Sequence, residues 1–138
     1  MINLLKRLFG KTVSSSFPNI VAAKVLEVSK HPNADRLRVV KLDIGGKLVE
    51  PVVCGAWNFE AGNVVALALP GAFIPKNIHS ERYEGFTLGK AKLRGIESQG
   101  MICAKFELGL GPLEDKPEIM ILKPDVVLGS EFRPEMLK

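Results

Sequence analysis

IVAAKVLEVSKHPNADRLRVVKLDIGGKLVEPVVC, residues 20–54, decides the fold. Residues 20–29 alternate between apolar and polar well enough for a β-strand. HPNAD then forms a turn, because Pro32 fixes one backbone dihedral while Asn33 and Asp35 can bond nearby backbone. RLRVVKLDI, residues 36–44, is predicted as a second strand, and Gly45–Gly46 is a hairpin signal. LVEPVVC, residues 48–54, is a third strand, and Pro51 inside it implies an edge position or a bulge.

The same grammar continues downstream. The loop GAWNFEAG leads to a strand over residues 63–71, and PKNIHSERYEG, residues 75–85, is a polar surface loop. A strand is predicted over residues 86–94 and a short one over 100–104. FELGL is expected to make one helical turn ending at Gly109, and EIMIL, residues 118–122, is a last apolar run. Five or six short strands, frequent turns and almost no long helical period predict an all-β protein. A closed five-stranded barrel of the oligonucleotide-binding (OB) type fits that count, with short helical turns and an added C-terminal segment. A sandwich is the alternative. The expected organisation is an N-terminal extension over residues 1–17, the barrel over 18–110 and a segment over 111–138 packed on it.

Composition narrows the function classes. The chain has 138 residues, 46% hydrophobic and 25% charged, enough for one domain with a real core. It contains no run of about 18 apolar residues, so no membrane-spanning helix or membrane partner is expected. The opening MINLLKRLFGK is too short and interrupted for a secretion signal. It is read as an amphipathic turn docking on the domain or on a second copy, with a membrane-surface or targeting role as the alternative. Cys54 and Cys103 form no CxxC and have no partner histidine at ligand spacing. Two reduced, buried thiols of a cytoplasmic protein are expected, with no metal and no cofactor. There is no P-loop and no GxSxG, and Ser98 has no histidine near it in sequence, so no catalytic residue is predicted.

The net charge of +4 is unevenly spread. Residues 1–105 carry 15 Lys or Arg against 8 Asp or Glu, and residues 106–138 carry 4 against 7. A basic body points to a polyanionic partner, against the plainer reading of a solvated surface. In GKAKLRGIESQGMICA, residues 89–104, strand alternation would put Lys90, Lys92 and Arg94 on one face, with Ala91 and Leu93 on the core side. Arg36 and Arg38 repeat the pattern opposite Leu37 and Val39. The strand repeat roughly matches phosphate spacing. Exposed strand faces are also Lys/Arg-rich merely for solubility and edge protection. The basic faces contain none of the one Trp, one Tyr and seven Phe, which favours recognition of a folded RNA by shape and backbone over the stacking of unpaired bases. Phe73 and Phe86 are expected in the core.

Several stretches together resemble one family. VLEVSKHPNADRLRVVKLDIG, VVCGAWNFEAGNVVALALPGA and KAKLRGIESQGMICAKFELGL occur in that order, followed by IMILKPDVVLGSEF. They resemble the tRNA-binding domain near the N-terminus of the bacterial phenylalanyl-tRNA synthetase β chain. Free-standing tRNA-binding proteins and the C-terminal module of the methionyl enzyme share the likeness, which covers residues 18–132. The resemblance implies an OB-fold barrel that binds tRNA on its outer corner, largely without reading sequence. It implies that Ser98, Gly100 and Met101 form a turn at the RNA-facing edge. Lys90, Lys92 and Arg94 would then contact the backbone, with Asn33, Arg36 and Arg38 from the first loop and strand. The plainer readings stand beside these: Gly100 for a tight turn, Met101 for core packing, Ser98 and Asn33 for their own turns. The implied partners are tRNA, an aminoacyl-tRNA synthetase or its other chain, and a second copy in a homodimer. MINLLKRLF and EFRPEML are apolar enough to supply that interface. A role as a protein-interaction or assembly module of a synthetase complex is the rival reading.

Three departures stand out. Gln99 replaces a commonly acidic residue, and Trp57 stands where a smaller residue or Pro is usual. Residues 76–89, KNIHSERYEGFTLG, lengthen the loop before the basic strand and would either cover or extend the RNA groove. No catalytic, editing or anticodon-binding region is recognised, so a free-standing module or a fragment of a longer chain is expected, non-catalytic by itself.

Overall fold

The computed structural model describes residues 16–138 except Pro117. The docking turn expected at residues 1–11 lies outside the described residues. Strand β1 (Ile20–Lys30) pairs antiparallel with β2 (Arg38–Asp43), and β2 pairs with β3 (Leu48–Cys54). The chain then crosses back, so that β4 (Val64–Ala68) pairs with the other edge of β1. The three predicted strands of residues 20–54 are therefore a curled meander, and β4 extends it on the far side.

Local chemistry accounts for these elements. Val, Ile and Leu at alternate positions suit a pleated, half-buried surface. Gly45 and Gly46 take φ of 96° and 94°, which a side chain would resist, and the Asp43 carboxylate accepts both of their N–H groups. The register slips between Val25 and Glu27 in β1 and between Val40 and Leu42 against β3. Such bulges bend a strand and raise its twist, which lets a small sheet curl on itself. Pro51 sits at the second slip, as its missing N–H requires.

Two short hairpins follow β4. In one, β5 (Phe73–Ile74) pairs with β6 (Phe86–Thr87); in the other, β7 (Ala91–Leu93) pairs with β8 (Ile96–Ser98). Strand β9 (Met101–Ile102) returns to the edge of β4. Between β8 and β9 the chain meets β3: the Ser98 hydroxyl accepts the Val53 N–H at 2.9 Å, and the Gln99 N–H donates to the Pro51 carbonyl at 2.8 Å. These bonds close the sheet into a barrel of the OB type. The expected turn at FELGL is a 3-10 turn, Phe106–Leu108, ended by Gly109 in the left-handed conformation.

The core has two lobes. One holds Val25, Val40, Leu42, Val52, Phe59, Val65 and Leu67 inside the barrel. The other lies where the tail packs: β10 (Ile121–Leu122) pairs with β4, and Met120, Leu122 and Phe132 join Phe17, Ile20 and Ile74. Phe132 is fully buried against Phe17, with ring centroids 5.4 Å apart. Its side chain is therefore part of this core and not of an interface, as EFRPEML had suggested; truncating such a ring costs about 3–5 kcal/mol. Among the described residues, no helix is long and apolar enough to cross a membrane.

Three expectations are corrected. The strand predicted over residues 86–94 is two short strands, because the chain leaves extended pairing between Leu88 and Lys90. Ala91 and Leu93 do not enter the core: all of β7 is exposed, since its only ladder partner is β8 and no second layer covers it. Phe73 is likewise 58% exposed on a two-residue edge strand, whereas Phe86 is half-buried against the core. The long loop before β7 turns toward the 3-10 element. Lys76 N–H bonds the Glu107 carbonyl at 3.1 Å, and Tyr83 meets Phe106 edge-on at 5.2 Å.

Candidate nucleic-acid interface

The β1–β2 loop and the β7–β8 hairpin meet through one buried side chain. His31 is 1% exposed. Its Nε2 lies 3.0 Å from the Leu93 carbonyl, and its Nδ1 accepts the Asn33 N–H at 2.9 Å. A carbonyl can only accept, so Nε2 carries the proton and Nδ1 is bare, the neutral tautomer. The imidazole thus stitches the loop to the hairpin tip. The backbone pair of His31 N–H and Leu37 carbonyl, at 3.1 Å, closes the loop on itself.

The hairpin tip is built by Arg94 and Gly95, with φ of 52° and 95°. Two successive positive φ values match the tight turn that two-residue hairpins favour. Glycine meets this conformation without strain, whereas a left-handed Arg costs about 1 kcal/mol. Arg94 therefore leaves the strand face it was expected to share with Lys90 and Lys92. It lines instead a cleft of ≈ 330 Å³ with Asn33, Ala34, Asp35, Arg36 and Leu37. Asn33, Arg36 and Arg94 are all exposed there. Asp35 offsets part of the charge. Its carboxylate stands 4.0 Å from Lys30 Nζ with both side chains in solvent, a pairing of little energetic weight.

Lys90 and Lys92 are exposed along the hairpin, and Lys92 pairs across the ladder from Glu97. Gln99, beyond the hairpin, turns its amide back to the Glu97 carbonyl at 3.2 Å.

Arg38 has a different fate from Arg36. Its guanidinium lies 4.5 Å from the ring centres of both Trp57 and Phe59. Its Nη2 donates to the Ala56 and Phe59 carbonyls at 3.3 and 3.0 Å. The expected outward-facing tooth is thus a half-buried strut, committed to two rings and two carbonyls. Cation–π contact explains the choice: a guanidinium sheds water more readily than an ammonium and stacks on aromatic faces. Trp57 remains 55% exposed, and its indole N–H donates to the Arg36 carbonyl at 3.2 Å.

The Ser98, Gly100 and Met101 turn serves the barrel seam. Ser98 is buried, and its hydroxyl, while accepting from Val53, donates to the Gly100 carbonyl at 2.9 Å. A Cβ on Gly100 would lie 2.8 Å from the Ala68 carbonyl oxygen, so the glycine is there for a close backbone approach. Met101 is half-buried against the tail-side core and pairs with Ala68.

Sequence reasoning had not found His31 as a stitch or Trp57 as a neighbour of the arginines. The polar turn HPNAD was a signal for the first; the second depends on a contact between distant loops. Burial pushes the Cys54 thiol up to about 11, against weaker downward pulls from a backbone bond and from Arg38, and it pushes Cys103 up as well. Both are inert buried thiols at neutral pH. Among the described residues no group of three or more His, Cys, Asp or Glu side chains is placed to hold a metal ion.

Over residues 20–131 the chain matches the family model described as "Putative tRNA binding domain". It is similar to the "Phenylalanine--tRNA ligase beta subunit" of Chlamydia pneumoniae, 46% identical over 122 residues, covering 88% of this chain and 15% of that protein. The subunit of the same name from Syntrophus aciditrophicus is 40% identical over 122 residues, covering 88% of this chain and 14% of the relative. That of Dechloromonas aromatica is 42% identical over 121 residues, again 88% and 14%. The chain thus spans about a seventh of the length of the curated relatives it matches. With an OB-type barrel and a family match running from β1 into the tail, the chain belongs to the tRNA-binding domain family.

Proposed function

We propose that this chain is a docking module that holds folded tRNA by shape and backbone charge, without catalysing aminoacylation by itself. The observation that carries the reading is the cleft where Asn33 and Arg36 from one loop meet Arg94 from the hairpin tip. Lys90 and Lys92 extend that charge along the arm, giving a ridge and a notch suited to phosphates held in a fixed shape. The left-handed backbone of Arg94 supports it, because strain at an exposed arginine is better explained by a task for its side chain than by stability. Ser98, Gly100 and Met101 then act indirectly, by fixing the seam from which the arm departs, and Arg38 acts by holding the loop.

In this reading residues 18–110 are the RNA-binding barrel, residues 111–138 are its buttress, and residues 1–17 are an extension. The setting is cytoplasmic. The partner besides tRNA is an aminoacyl-tRNA synthetase or another chain of one, for which the module raises the local tRNA concentration. A homodimer would double the basic surface. The rival reading, an assembly module with incidental RNA contact, draws on Phe73 and Val127, exposed by 58% and 73%.

A fluorescence-anisotropy titration of bulk tRNA, with duplex DNA and an unstructured RNA as competitors, tests the proposal at two salt concentrations. The expected result is that tRNA outcompetes both and that affinity falls steeply with salt. Equal binding of all three, or none near physiological salt, would leave the assembly reading in its place.

A further inference from the structure

The exposed face of Trp57 is the feature that shape-and-charge docking leaves unexplained. Its ring is 55% exposed, so one face is open to contact. This ring is also held still. Its N–H is bonded to the Arg36 carbonyl, and the Arg38 guanidinium lies 4.5 Å from its centre. Behind the guanidinium lies Phe59, 4% exposed, so the loop carries a stack of Phe59, Arg38 and Trp57 whose outermost layer is the indole. The loop itself is anchored on the tail by a reciprocal pair, Asn58 Nδ2 to the Ile119 carbonyl and Ile119 N–H to Asn58 Oδ1, each at 3.0 Å.

We infer that Trp57 is a stacking platform for one unpaired nucleobase of the bound RNA, an inference that rests on the tRNA-binding reading above. A pre-ordered ring loses little freedom when a base lands on it, and a flat π face accepts any base. The residue bonded to the indole, Arg36, also lines the cleft given to phosphates, so one nucleotide can place its backbone by the arginine and its base on the ring. Protein ligands fit the place less well, because the groups bonded to and stacked on the indole are a loop carbonyl and a cation. The expectation drawn from sequence, that no aromatic accompanies the basic residues, is corrected: Trp57 joins them through space.

Trp57 is the chain's only tryptophan, so its emission reads its own occupancy. The full chain is titrated with tRNA while binding is followed independently by the anisotropy of labelled tRNA. The inference expects saturable quenching with the same midpoint as the anisotropy change. It expects no saturable quenching on a blunt, fully paired RNA duplex, which offers no free base. Trp57→Ala should lose about tenfold in tRNA affinity, and Trp57→Phe about half that loss on a logarithmic scale, with circular dichroism unchanged in both. Binding of tRNA without quenching, or wild-type affinity in the folded Trp57→Ala variant, overturns the platform and leaves the docking reading intact. No anisotropy change with the wild-type chain overturns the docking reading, and the platform with it.

Discussion

Arg36–Arg38 and Lys90–Arg94 look alike as sequence, cations at every second position, yet they are used in opposite ways. In the first stretch one cation, Arg38, is drawn in between two rings and two carbonyls. In the second every cation stays in water, and so do the apolar residues between them. The difference lies in what stands beside each strand. β2 is a middle strand with a folded loop next to it, and that loop offers aromatic faces. β7 is paired on one side only and forms an arm. Alternation assigns residues to two faces; whether either face is covered depends on the neighbours.

The largest effect is expected in the arm. Lys92→Glu with Arg94→Glu is expected to weaken tRNA binding about a hundredfold at moderate salt, while the like-charge pair it places opposite Glu97 lowers the melting temperature by only a few degrees. An unaltered affinity in the folded double variant would remove the arm from the site. The next effect is on stability. Arg38→Ala strips two carbonyls of their donor and two rings of their spacer, and should lower unfolding stability by about 2 kcal/mol in urea denaturation. If Arg38 only holds the loop, as proposed, the salt dependence of tRNA binding should match wild type; a shallower slope would return it to the interface.

The smallest effect sharpens the contrast with a buried anion. Glu107 is 8% exposed on the 3-10 turn, and burial raises its carboxyl above 4.5 despite the Ala104 N–H bond that pulls it down. A raised folded value means that the native state holds the proton more tightly than the unfolded chain. Its stabilising share is complete below about 4.5 and is lost as pH rises through the folded value. Glu107→Gln should therefore melt a few degrees higher than wild type at neutral pH, with the gap closing as the pH falls toward 4.5. A gap that widens on acidification would mean that folding lowers, rather than raises, the Glu107 carboxyl.

The sequence made the meander legible because its signals are local. β1 and β3 follow from alternation and from Pro51, the turn between β2 and β3 from Gly45–Gly46, and the 3-10 turn from Gly109. The strand count offered the OB barrel beside a sandwich, and the family likeness chose between them and pointed to tRNA as the partner. Hidden were the features that join distant residues. His31 reaches Leu93, Trp57 reaches Arg36, and the Ser98 hydroxyl reaches Val53. A turn histidine, a loop tryptophan and a hinge serine look ordinary until the chain brings their partners to them. Phe73 failed for a related reason: an apolar residue at a strand position goes to the core only if its edge is covered, and β5 is two residues long.

The seam of the barrel has a kinetic consequence. Where other neighbouring strands share a ladder, β3 meets the β8–β9 turn through the Ser98 hydroxyl and the Gln99 N–H. A join of that kind is the natural place for a barrel to open locally, since parting it breaks few hydrogen bonds. The amides of Val53 and Gln99 then exchange with solvent through local excursions, while those of Ala23 and Val65, paired within the β1–β4 ladder, wait for global unfolding. The basic arm departs from the same seam, while its tip stays stitched to the β1–β2 loop through His31, so local opening at the seam leaves the arm anchored at its far end.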